Sequence, residues 1–134
     1  MSVPTGKTQH LMDEMTMAST KVLVVDDNAD AADLTVEILR MHGVDAMAAH
    51  GGAEAIAAAR EFAPSVIFLD LGMPEVDGYE VAKTLRADHA FDSVKIVALT
   101  AWGDIDSRDR TEKAGFNSHL LKPANFSTLL EFTQ

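Results

Sequence analysis

Two short, unbroken apolar runs, Val22-Leu23-Val24-Val25 and Val66-Ile67-Phe68-Leu69, each stop at aspartate and each lead into a segment of helical periodicity. A run of that length without alternation has no polar face, so it suits a parallel strand covered on both sides. After the first run, Ala31, Leu34, Ile38 and Met41 recur at helical spacing. Asp30 and Asp33 lie near the start of that helix, with Arg40 before Gly43 at its end, charges that match the helix dipole. Val44 to Ala49 is a second strand, stopped by Gly51-Gly52, and Ala53 to Phe62 is an alanine-rich helix closed by Pro64. Beyond the second run, Gly72 to Gly78 carries turn chemistry, and Tyr79, Val81, Ala82 and Leu85 mark a third helix. Val94 to Leu99 is a fourth strand, Asp104 to Ala114 a charged helix with Gly115 as its stop, and Ser118 to Leu121 a short last strand. Phe126, Leu129 and Leu130 begin a closing helix. Five strand-then-helix units with short connections imply an α/β fold. Its sheet is open, parallel and doubly wound, with helices on both faces and right-handed crossovers.

In such a sheet the ligand site lies beyond the carboxyl ends of the strands, near the point where strand order reverses. Asp26, Asp27, Asp70, Thr100 and Lys122 all fall at those ends. Taken singly, each has a plainer explanation. Asp26-Asp27 suits a helix cap and its neighbour, Asp70 a turn former, Thr100 a cap, and Lys122 a solvated surface group. Their coincidence on one edge favours chemistry. Three clustered carboxylates stay ionised cheaply only around a cation, and oxygen ligands without His or Cys suit a hard ion such as Mg²⁺. An ionised aspartate accepts a phosphoryl group as an acyl phosphate. That transfer needs alignment and neutralisation of charge on the equatorial oxygens, to which a cation, the Lys122 ammonium and the Thr100 hydroxyl can all contribute.

The rest of the composition narrows the field. At 134 residues the chain suits one domain with its own core. It has no cysteine, which excludes disulfides, zinc-thiolate sites and thiol nucleophiles, and fits a cytoplasmic location. Twenty-one acids against eleven Lys and Arg give a net charge of −10, which disfavours direct nucleic-acid binding and favours basic partners and divalent cations. No apolar run approaches membrane-spanning length, so no membrane insertion is expected. Residues 1–19 read as a disordered N-terminal tail before a domain at 20–134. Within the tail, His10-Leu11-Met12-Asp13-Glu14-Met15 suits a short helix or a partner contact. Gly6-Lys7-Thr8 lacks the first glycine and the preceding strand of a phosphate-binding loop.

Four segments then resemble the signatures of response-regulator receiver domains. They are Val22 to Asn28 with its Asp26-Asp27, Asp70-Leu71-Gly72-Met73-Pro74 with Asp77-Gly78-Tyr79-Glu80, Ala98-Leu99-Thr100-Ala101, and Leu121-Lys122-Pro123. The resemblance runs from Lys21 to about Phe132 and extends to stand-alone receivers and to those of hybrid histidine kinases. It implies a flavodoxin-like sheet of order 2-1-3-4-5. It also implies Asp70 as phosphoacceptor, Mg²⁺ held by Asp26, Asp27, Asp70 and the Gly72 carbonyl, and Thr100 as switch hydroxyl. Lys122 would pair with the phosphoryl oxygens, and the Lys122-Pro123 bond would be cis. The implied function is a non-enzymatic phosphoacceptor of a two-component or phosphorelay system. It would be served by a sensor histidine kinase or histidine phosphotransfer domain, and would signal to a downstream protein. The output face would be the fourth helix, last strand and last helix, decorated by Asp104, Asp106, Arg108, Asp109, Arg110, Glu112 and Lys113.

Three positions stand out against the family pattern. His119 stands where an aromatic switch residue is usual, so it is either a pH-sensitive switch or a strand-end histidine with no task. Gly72 is small and Trp102 bulky at variable positions near the site, which leaves the acyl-phosphate lifetime open. Two alternatives stand beside the leading reading: a receiver-fold binding module that does not use phosphorylation, and a receiver cut from a hybrid kinase. The Met1 start suits a complete protein, and with no output region after residue 134 the output would be a protein contact or onward phosphoryl transfer. A flavin carrier shares the architecture, but clustered carboxylates would repel a flavin phosphate.

Overall fold

The computed structural model describes residues 20–73, 76–100, 106–122 and 124–133. Five strands, β1 (Lys21–Val25), β2 (Asp45–Ala49), β3 (Val66–Asp70), β4 (Lys95–Thr100) and β5 (Ser118–Leu121), alternate with five helices. The helices are α1 (Ala29–Met41), α2 (Gly52–Phe62), α3 (Gly78–Arg86), α4 (Asp106–Ala114) and α5 (Phe126–Glu131), and a 3-10 turn at His89–Phe91 precedes β4. All strand pairs are parallel and the order is β2-β1-β3-β4-β5. Order reverses between β1 and β3, so the crevice above those two strands is where a ligand belongs.

Alternate residues of each strand feed opposite faces of the sheet, which makes two cores. Leu23, Val25, Ile67, Leu69, Ile96 and Ala98 pack with the alanines of α2 and with Val81, Ala82 and Leu85 of α3. On the other face, Val22, Val24, Phe68, Val97 and Leu99 pack with Ala32, Val36 and Leu39 of α1 and Leu129 of α5. Side-chain caps fix three helix starts. Asn28 accepts a hydrogen bond from the Ala31 amide, Asp77 from that of Glu80 and Asn125 from that of Ser127. Gly115 ends α4 at φ +100°, a backbone conformation that side chains rarely adopt.

The helix expected after β1 is present as α1. The stripe Ala31, Leu34, Ile38, Met41 does not face the sheet; Ala32, Val36 and Leu39 do. Leu34 is 58% and Met41 77% exposed. Both sets recur at helical spacing, and the one centred on Val36 is the one that α1 turns to the sheet.

Candidate functional site

Parallel register brings the strand ends to one edge. Val25 is paired with Leu69, so the next residues, Asp26 and Asp70, stand side by side at the switch point. Thr100 is paired with Leu121, which sets Lys122 just past the neighbouring strand. Backbone hydrogen bonds carry the ladder one step further, from Asp26 to Ala49 (3.1 Å), Leu71 to Leu99 (3.1 Å) and Lys122 to Thr100 (2.7 Å), amide to carbonyl. The polar groups are therefore held by sheet backbone, which positions them rigidly.

At this edge Asp26, Asp27 and Asp70 each offer a carboxylate oxygen, all within 4.8 Å of one another. Asp26 and Asp70 are buried, at 7% and 6% exposure, whereas Asp27 faces solvent. The Lys122 ammonium bridges the buried pair, 3.1 Å from Asp70 Oδ2 and 3.2 Å from Asp26 Oδ2. The other oxygens accept backbone amides: Asp70 Oδ1 from Gly72 and Asp26 Oδ1 from Asn28, each at 3.0 Å. Burial holds the Asp70 carboxyl above its ordinary range. The Gly72 amide and Lys122 pull the other way without cancelling it, and Asp26 adds repulsion. Burial alone would lower Lys122, but the carboxylates of Asp70 and then Asp26 outweigh it and raise the ammonium above the usual lysine range. One cation thus serves two buried anions, and the cluster keeps an excess of negative charge.

Asp26, Asp27, Asp70 and Lys122, singled out from sequence, come together as one cluster. The capping task once open to Asp26-Asp27 falls to Asn28, while Asp70 also performs its turn-forming task through the Gly72 amide. Thr100 is buried at the end of β4, with its Oγ1 3.1 Å from His119 Nε2. His119 therefore has a polar partner at the end of β4. Gly72 is exposed, and a Cβ there would make only ordinary contact with Asp70 Oδ1 at 3.8 Å. On α4, Arg110 lies over the Tyr79 ring at 3.9 Å, and Asp109 pairs with Lys113 at 3.7 Å. Residues 1–19, Trp102, Asp104 and the expected cis bond at Pro123 lie outside the described residues, as do the side chains of Asp106 and Arg108.

A neighbouring feature had no sequence signal. Between α1, the sheet and α5 lies a cavity of about 530 Å³, lined by Val24, Ala32, Phe68, Leu99 and Leu129, with Asp26 and Lys122 at its polar end. Its walls come from four separate stretches of chain, so only the fold assembles it.

A family model of the response regulator receiver domain matches residues 22–134. The chain belongs to that family. It is therefore a receiver domain of the two-component signalling type, in which phosphorylation and Mg²⁺ binding are characteristic. The polar-differentiation response regulator DivK of Brucella ovis is 29% identical over 110 residues, which are 82% of this chain and 89% of DivK. RpaA of Synechocystis, a DNA-binding dual master transcriptional regulator, is 33% identical over 110 residues, 82% of this chain but 46% of RpaA. The chain thus spans less than half of that DNA-binding relative. Among solved structures, the chemotaxis protein CheY4 of Vibrio cholerae superposes with a TM-score of 0.79 at 30% identity, covering 84% of this chain and 94% of CheY4. Among the described residues no helix is long and apolar enough to cross a membrane.

Proposed function

We propose that this receiver takes its phosphoryl group on Asp70, with Asp26, Asp27, Lys122 and Thr100 as the groups that make the transfer possible. The observation that carries this reading is the shared ammonium: a buried aspartate at the end of the central strand, joined by Lys122 to a second buried aspartate. A carboxylate oxygen of Asp70 attacks phosphorus and the bond from phosphorus to the donor's imidazole nitrogen breaks. Its electron pair stays on the imidazole, which takes a proton from water. The donor is a phosphohistidine on a kinase or phosphotransfer domain.

Asp26, Asp27, Asp70 and the Gly72 carbonyl would hold Mg²⁺, and a carboxylate cluster within 4.8 Å with no nitrogen or sulfur donor fits such a hard ion. When bound, that ion supplies neutralisation of charge on the phosphoryl oxygens. Lys122 already touches Asp70 and needs only to turn one donor to a phosphoryl oxygen. Thr100 supplies a hydroxyl hydrogen bond, and its contact with His119 relays that movement towards β5 and the α4–β5–α5 output face. The domain promotes only its own phosphoryl uptake and loss. Output goes to a protein partner in the cytoplasm, since a net charge of −10 opposes a nucleic-acid backbone.

The test combines calorimetry with mass spectrometry. Millimolar Mg²⁺ is expected to bind, and phosphoramidate with Mg²⁺ to add one phosphoryl group that Asp70→Asn abolishes. Undiminished labelling in that variant moves the acceptor elsewhere, and no labelling of the parent chain favours a binding module that keeps only the fold.

A further inference from the structure

We propose that the N-terminal segment around residues 10–17 docks along the groove between α1 and α5, beside the cavity that opens at Asp26 and Lys122. The groove's own chemistry calls for an apolar occupant. At about 100° per residue, Asp30, Asp33, Glu37 and Arg40 fall on the flank of α1 away from α5. On that flank Asp33 meets His50 at 2.9 Å, and Arg40 donates to the Ala46 carbonyl at 3.0 Å. The opposite flank carries Ala31, Thr35 and Ile38, and the outer ridge beside it carries the exposed Leu34 and Met41. His42 marks which way this flank looks, because its ring rests against Phe126 of α5 at 5.3 Å. Phe126 and Leu130 are themselves only partly buried. An apolar strip therefore continues from the cavity wall out to the helix surface.

The chain's course selects the occupant. The Thr20 hydroxyl donates to the Thr133 carbonyl at 2.6 Å, so the segment before β1 begins beside the end of α5, on this face of the sheet. The thirteen residues of α1 span roughly 20 Å. A helix of eight residues would be about 12 Å long and the three residues linking it to Thr20 add about 10 Å when extended, enough together to run along the groove. On a helix, Leu11, Met12 and Met15 would share one face, with Asp13, Glu14 and Thr16 around it. Methionine side chains adapt to irregular apolar surfaces. Tethering also places this segment at an effective concentration in the millimolar range, which a separate partner must overcome. Docked there, it would border the end of the cavity next to Asp26 and Lys122.

The chain has no cysteine, so Asp13→Cys carries a single nitroxide label on the polar side of the segment. In the full chain the amides of Leu34, Ile38 and Met41 are expected to lose more than half their intensity, while those of α2 and α3 on the other face keep theirs. Adding Leu11→Asp and Met15→Asp should restore the lost signals and leave the α2 and α3 spectra unchanged. Loss spread evenly over both faces, or loss that survives the two aspartates, overturns the proposal. A mixture of labelled protein with unlabelled ¹⁵N protein gives the last arm. Broadening there assigns the groove to a second copy and overturns docking within one chain. None of these outcomes depends on phosphorylation, so the proposal stands or falls apart from the role of Asp70.

Discussion

Lys122 makes the two buried aspartates tolerable, yet burial still keeps Asp70 raised. A carboxyl whose folded-state pKa is raised weakens the fold once it ionises. The loss sets in as pH rises from the ordinary aspartate range through the raised value. Asp70→Asn keeps the shape and the Gly72 hydrogen bond but removes the charge. Metal-free Asp70→Asn is therefore expected to be more stable than the parent at neutral pH by about 1 kcal/mol, a common size for relieving a functional site. The gain should fade on acidification, where the parent carboxyl is already neutral; thermal melts across pH 3 to 8 read it. Equal stability at neutral pH would mean that Lys122 compensates the buried charge fully. Lys122→Ala removes the group proposed to address the phosphoryl oxygens and not the cation. Calorimetry should then find Mg²⁺ affinity within about tenfold of the parent, with phosphorylation-dependent partner binding lost. The identity of these residues was legible because each ends a strand. The sharing of one ammonium by two carboxylates was not, since it depends on side-chain directions above neighbouring strands.

Helix α1 shows where sequence periodicity runs out. Residues 31, 34, 38 and 41 and residues 32, 36 and 39 both recur at helical spacing, and nothing in the pattern says which set meets the sheet. The strand faces were easier to read, because a run that is apolar throughout must be covered on both sides. Arg86, at the end of α3, carried no motif at all. Its guanidinium donates to the carbonyls of Gly115 (2.9 Å), Phe91 (2.6 Å) and Val94 (2.8 Å) and to Asn117 Oδ1 (2.6 Å). Burial lowers its pKa from the ordinary arginine value, and Asp92 opposes that fall. The side chain thus ties α3, the turn before β4 and the start of β5 together, using only uncharged acceptors. Arg86→Ala would take a donor from four acceptors, of which Asn117 Oδ1 and the Phe91 carbonyl keep the Ile96 and Val94 amides, and is expected to cost about 3 kcal/mol in urea unfolding. A loss below about 1 kcal/mol would show that water replaces the guanidinium freely. Gly115→Ala should also destabilise, because its Cβ would stand 2.5 Å from Arg86 Cγ at a φ of +100°.

Across the whole molecule, order and function share one cause. Parallel strands joined by short crossovers end on the same edge, so any polar residue that stops a strand joins the others there. That is why the architecture and the acidic cluster were both readable from punctuation of apolar runs, while the cavity beside α1 and the exposed ridge of Leu34 and Met41 were not. The cavity arises from how α5 sits across the sheet and the ridge from the face that α1 turns to it, both matters of packing between distant segments. The central claim is that this edge directs one phosphoryl group to one carboxylate. An acyl phosphate can be trapped by borohydride, which reduces it to an alcohol at the residue that bore it, and peptide mass mapping then reads the position. After treatment with phosphoramidate and Mg²⁺, reduction is expected at residue 70 alone, and absent when Mg²⁺ is removed. Reduction at Asp26 or Asp27, or at position 70 with equal yield without Mg²⁺, would contradict the assignment of acceptor and cation ligands.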